Sequence, residues 1–204
     1  MSTLKATNLQ HPSAVDPAIV LDADGDVTYS GVHDFSAATV TGAPQGLVHI
    51  NTTTFSAVSS VSLNNVFTSD YDNYRIVLSR DASSAGQLDM RLRVGGVDVS
   101  SADYDYIRIF VYSAGTVAGA RSLSATSFYL GYFPTVRIGI CSADIFGPNL
   151  AASTQYSATG GSAQELGTVM GELDLATSYD GFTIIPSAGT MTGTIRVYGY
   201  RNEA

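Results

Sequence analysis

Apolar and polar side chains alternate with a period of two from residue 47 to residue 200, and no helical period of useful length interrupts the pattern. Leu88, Met90, Leu92 and Val94 alternate with Asp89, Arg91 and Arg93, the pattern of a strand with one buried face. The Gly95-Gly96 pair that follows predicts a turn, and Val97 and Val99 restart the alternation. Further strands are predicted over 74–78, 104–112, 127–132, 136–140, 168–175, 182–185 and 194–200. Residues 142–153 are too few for a helix and are broken by Gly147-Pro148. The small, polar stretches 117–124 and 153–164 read as connecting loops. Many short strands separated by Gly, Ser, Asp and Asn give an all-β fold, an antiparallel, jelly-roll-like β-sandwich over 47–204.

The front of the chain reads differently. Residues 1–24 form an extended polar arm in which Pro12 and Pro17 disfavour helix and central strand, and Leu4, Leu9 and Ile19 supply apolar contacts. Ile19, Val20 and Leu21 lead into Asp24-Gly25, a dipeptide suited to a tight turn. Residues 25–46 hold very short β pieces. Val27 and Tyr29 alternate around Thr28, Gly31 breaks the run, and Val32, Phe35 and Val40 follow before Gly42 and a punctuating Ala43-Pro44-Gln45-Gly46. Pieces this short bury no apolar face alone and are expected to lack ladder partners in their own chain. Sister copies are the nearest source of partners. The expectation is an intertwined stalk over 25–46 that holds a homotrimer, its run to Gly42 spanning on the order of 50 Å if extended, with the arm ordering on a different protein.

Two strands are unusual on both faces. Within 104–112, one face carries Ile107, Ile109 and Val111, and the other carries Tyr104, Tyr106, Arg108, Phe110 and Tyr112. The last strand sets Ile195 and Val197 against Arg196, Tyr198 and Tyr200. Aromatic faces with embedded arginines have the composition of an interface core; the alternative is a sheet surface covered by tyrosines with their hydroxyls outward. On the first reading the two strands are neighbours in the sheet that faces the oligomer axis.

The chain has 204 residues, enough for one sizeable core and an appendage. Only 14% of residues are charged, which fits a surface partly covered by neighbouring subunits. The net charge of −8 and the single lysine, Lys5, disfavour nucleic acid and anionic membrane surfaces as partners. Lone Cys141 excludes an intrachain disulfide and lies in an apolar-alternating run, where a buried structural thiol is expected. Residues 1–13 have no apolar core of signal-peptide length, and nothing reaches transmembrane length, so assembly in a reducing cytoplasm without membrane insertion is the expectation.

The order LKATNLQHPS…PAIVLDADGDVTYSG followed by DFSAATVTG resembles the amino-terminal docking and stalk segments of bacteriophage tail-fibre and head-fibre proteins. The later runs FSAVSSVSLNNVFTSDYDNYRIVL, LRVGG and YDGFTIIPSAGTMTGTIRVYGYRN resemble a β domain that recurs in phage virion proteins. The resemblance covers nearly the whole chain and rests on structural rather than catalytic motifs. It implies a virion location, a trimer attached by its amino-terminal part to a capsid or tail protein, and a β domain at the distal end. A host-surface glycan is a further candidate partner. The short chain suits a compact tip, a short fibre or a capsid-surface decoration.

Candidate chemistry is sparse. Asp22, Asp24 and Asp26 bracket Gly25, but the glycine comes too early and His33 stands where an EF-hand needs glutamate, so a solvated turn is expected. A cation shared on a symmetry axis is the alternative there. His11, His33 and His49 lie at no metal-ligand spacing, and Cys141 has no companion for zinc. There is no G-x-S-x-G elbow, and Gly95-Gly96 and Gly160-Gly161 precede no helix, so neither a hydrolase serine nor a phosphate cradle is expected. Asp103 and Asp105 imitate a glycosidase pair but sit at a turn entry, where aspartate is ordinary. No enzyme activity and no cofactor are expected. Twelve tyrosines and eight phenylalanines without tryptophan weaken a sugar-stacking platform. A stand-alone carbohydrate-binding β-sandwich module, read by the loops 117–124 and 153–164, is the alternative.

Overall fold

A computed structural model describes residues 8–9, 19–21, 27–29, 46–112, 114–133, 139–162 and 165–202. The chain forms two compact units, Met1–Pro44 and Gln45–Ala204. In the first, β1 (Asn8–Leu9), β2 (Ile19–Leu21) and β3 (Val27–Tyr29) make an antiparallel sheet in the order β1-β2-β3, with Leu9 opposite Ile19 and Leu21 opposite Val27. The expectation that these pieces find no ladder partner in their own chain is corrected here. The short connection holding Asp24-Gly25 brings β3 back along β2. The sheet is nonetheless below the size that is stable alone, and both outer edges are unpaired among the described residues.

The second unit is an all-β antiparallel sandwich. Its strands are β4 (Leu47–Val58), β5 (Val61–Leu63), β6 (Asn73–Ala82), β7 (Gly86–Val94), β8 (Val97–Asp98), β9 (Tyr104–Tyr112) and β10 (Val117–Ala125). After these come β11 (Phe128–Phe133), β12 (Gly139–Phe146), β13 (Thr154–Ser162), β14 (Glu165–Leu173), β15 (Gly181–Pro186) and β16 (Met191–Tyr200). Eight of them form one sheet in the order β10-β9-β14-β13-β12-β6-β16-β4. The smaller sheet runs β11-β7-β15-β5, with β8 beside β7. Gly95 and Gly96, at φ 58° and 80°, form the two-residue turn of the β7–β8 hairpin, a left-handed conformation that side chains resist.

Leu88, Met90 and Leu92 of β7 and Phe182 and Ile184 of β15 face Ile76, Leu78, Ile145, Ile195 and Val197 of the large sheet in one core. Aromatic rings bridge the layers: Tyr104 meets Phe128 edge-on at 4.8 Å, and Phe128 lies 4.0 Å from Tyr156. Each buried ring removes enough apolar surface from water to stabilise the fold by roughly 2–3 kcal/mol. Gly171 makes room for this layer, because a Cβ there would come within 2.7 Å of the Tyr156 ring and 2.1 Å of the Asp105 carbonyl.

Two stretches expected as loops are strands. Val117–Ala125 forms the edge strand β10, and Thr154–Ser162 forms the interior strand β13. Their Gly, Ala, Ser and Thr residues have weak strand preference alone, and ladder pairing with β9, and with β12 and β14, overrides it.

Candidate functional site

The outer face of the large sheet is built by register. One row runs Val117, Val111, Leu166, Gly161 and Ile140 across β10, β9, β14, β13 and β12. The next places Gly119 beside Ile109 and Thr168, and a third places Arg121 beside Ile107 and Met170. Ile107, Ile109, Val117, Leu166 and Met170 are 58–68% exposed. An antiparallel sheet with one face on a core ordinarily turns polar side chains to water, so this half of the face is anomalous. At its end lies an open groove of about 450 Å³, floored by Ile107, Leu123 and Met170 and bordered by Asp105, Glu172 and Phe146. Asp105 and Glu172 face each other in register, and the Asp105 carboxylate accepts a hydrogen bond from the Ser124 amide at 2.8 Å.

The other half of the face is polar. Arg75 donates twice to Asp144, at 2.8 and 2.6 Å, and the Tyr200 hydroxyl donates to the same carboxylate at 2.7 Å. Burial pushes the Asp144 carboxyl up, but the hydrogen bonds from Arg75 and Tyr200 and the Arg75 charge together hold it below its ordinary value. Beside them His49 meets Tyr198 edge-on at 5.6 Å and hydrogen-bonds Thr52 at 2.8 Å, and Arg196 is exposed.

The expected subunit-facing surface of β9 is corrected by this placement. Tyr104 and Phe110 are buried, and Tyr106 and Arg108 point the same way, against β11; Tyr112, at the strand end, is exposed. The Tyr104 hydroxyl finds partners inside: it donates to the Val99 carbonyl and accepts from the Leu92 amide. The Arg108 guanidinium lies 4.4 Å from the Phe110 ring and 4.1 Å from the Tyr129 ring, and it pairs with Glu165 at 3.3 Å. Tyr129 donates to that carboxylate at 3.0 Å. An aromatic-and-arginine face is thus a core here, and Ile107, Ile109 and Val111 are left in water. Arg196, Tyr198 and Tyr200 do point outward, but β16 is not next to β9, because β14, β13, β12 and β6 lie between them.

Arg80 is buried with no hydrogen bond to its guanidinium among the described residues and stands 4.5 Å from the Phe133 ring, between Gly139 and Gly193 on the flanking strands. Burial lowers its pKa. Cys141 is buried, its thiol donates to the Leu130 carbonyl at 3.6 Å, and burial pushes its pKa up to about 12, so it is a packing residue rather than a nucleophile. Among the described residues no group of three His, Cys, Asp or Glu side chains could hold a metal.

Of the expected stalk residues, Val27 and Tyr29 lie in β3, and Val27 is exposed; Val32, Phe35 and Val40 lie outside the described residues. Of the arm residues, Leu9 lies in β1 and Ile19 in β2, whereas Leu4, Pro12 and Pro17 lie outside the described residues, as do Asp22, Asp24, Asp26, His11 and His33. The aliphatic half-face was missed by sequence reasoning, although β9 and β14 carry apolar residues on both faces. That two-sided pattern was the available signal.

Comparison with known proteins found no matching family model and no matching curated protein. Among solved structures, the chain is similar to an E230A fructofuranosidase from Schwanniomyces occidentalis complexed with fructosylnystose, at 4% identity and a TM-score of 0.31. The match covers 78% of this chain and 35% of that one, a likeness too slight to bear on function.

Proposed function

We propose that this chain is a non-enzymatic structural protein of a bacteriophage virion, a homotrimeric short fibre or spike on the tail or capsid surface. Residues 1–24 dock it to another virion protein, residues 25–46 hold the copies together, and the sandwich is the projecting head. The observation that carries this reading is the amino-terminal sheet. Strands of two and three residues with open outer edges cannot persist alone, and neighbouring chains supply the missing pairing. The resemblance of the chain's motifs to those of phage fibre proteins supports the virion context. The function is then mechanical: interlocked chains give rigidity, and the arm gives attachment. Deleting residues 1–24, which removes β1 and β2, is expected to abolish incorporation into particles; normal incorporation of the deleted protein overturns the anchor assignment. Copy number per particle separates the two placements, with a few copies marking tail or vertex and dozens to hundreds marking capsid decoration.

A second reading, a carbohydrate-binding module, is favoured by the groove in which Asp105, Glu172 and Gln155 line up beside Phe146. Carboxylates and amides bind sugar hydroxyls, and an aromatic ring packs on a sugar face. Saturable binding to a glycan array by a monomeric protein would favour this reading over the first.

A further inference from the structure

We propose that copies of this chain meet through the aliphatic half of the large sheet's outer face, so that the sandwich itself, and not only residues 25–46, forms the subunit interface. The inference rests on the oligomeric reading above and deepens it. Val111, Leu123 and Ile140 extend the patch made by Ile107, Ile109, Val117, Leu166 and Met170. At roughly 100 Å² of exposed surface apiece, these eight side chains present on the order of 800 Å², the share one partner contributes to a standard interface. The largest apolar patch on a typical monomer is about 300–600 Å².

Charge selects the occupant. Among the described residues the centre of the patch carries no ionisable group; Arg121, Asp105 and Glu172 stand at its border, the arrangement of an apolar interface core with a polar rim. A face without central charge can line a three-fold axis, where one flank of it packs against the other flank of the next copy without opposing like charges. The polar half cannot, since it would bring the exposed Arg196 of each copy towards its counterparts.

Thiol labelling of the full chain tests this, because native Cys141 is buried and leaves an introduced cysteine as the reporter. Met170→Cys on the aliphatic half and Arg196→Cys on the polar half are exposed to a maleimide, with mass measured by sedimentation in parallel. Met170→Cys is expected to react at least tenfold more slowly than Arg196→Cys in a particle of unchanged oligomeric mass. Loss of assembly in Met170→Cys alone would also support the interface, with Leu166→Cys as the milder replacement. Equal rates in an intact oligomer overturn the inference and leave the fibre reading standing. A wild-type chain that sediments as a single protomer overturns both.

Discussion

Strands β10, β9 and β14 and strands β6, β16 and β4 lie at opposite ends of one sheet and cover one core, yet they turn different chemistry outward. At the second end the alternation rule is obeyed: Arg75, Tyr198, Tyr200 and His49 stand above Ile76, Ile195 and Val197. At the first, the inward face has taken the aromatics and Arg108, and the outward face is aliphatic. Burial of the core explains the inner faces of both ends and leaves the outer difference unexplained. The proposed contact between copies at β10-β9-β14 accounts for that outer difference.

The largest contrast is expected from paired charge substitutions. Ile107→Glu with Met170→Glu places two carboxylates in the aliphatic patch and should weaken assembly by a factor on the order of 10³ or more, since each aliphatic contact is worth about 1.5–3 kcal/mol when buried. Thr54→Glu with Arg196→Glu on the polar half should change it less than about tenfold. Equal effects in concentration-dependent sedimentation would erase the distinction between the halves.

Next in size are the interiors, where the two ends should behave alike. Glu165→Ala strands the Arg108 guanidinium beneath the aliphatic half and should reduce stability by about 3 kcal/mol. Ile195→Ala beneath the polar half should cost about 2–4 kcal/mol. Chemical denaturation with unchanged slope is the check; a much smaller loss at either site would deny that both halves share one core.

A smaller effect belongs to the polar half alone. The Asp144 carboxyl is held below its ordinary value, so its contribution is full above the unfolded value near pH 4 and disappears as pH falls through the lower folded value. Asp144→Asn should therefore cost about 1 kcal/mol at neutral pH, discounted for the solvent-screened Arg75, with the gap to wild type closing below about pH 4. A gap that stays constant down to pH 2 would contradict the ion-pair assignment. The smallest change is Arg196→Ala, expected within about 0.5 kcal/mol of wild type in thermal unfolding.

How much of this was legible in the sequence follows from how local each signal is. The β7 alternation, the Gly95-Gly96 turn and the bounds of β9 are written in adjacent residues, and the structure places them as read. The direction in which β9 faces is not local. It depends on Tyr129 and Phe128 arriving from β11 to accept the aromatic face, and on Glu165 arriving from β14 to neutralise Arg108. Strand order is likewise set by distant pairing, so the like composition of β9 and β16 does not make them neighbours. Strands β10 and β13 escaped because residues such as Gly160 and Gly161 are weak strand formers in isolation. Space demands glycine at Gly160, where a Cβ would come within 2.6 Å of the Leu130 carbonyl. The sequence therefore marks β9 as apolar on both faces without saying which face is turned to the core.

The central claim, that this chain is built to be covered by its own copies, is tested most directly by sedimentation of the full-length wild-type protein across a dilution series. The account predicts a species of three times the 21.4 kDa chain mass that persists into the nanomolar range. A stable, well-folded 21.4 kDa protomer at micromolar concentration would contradict it.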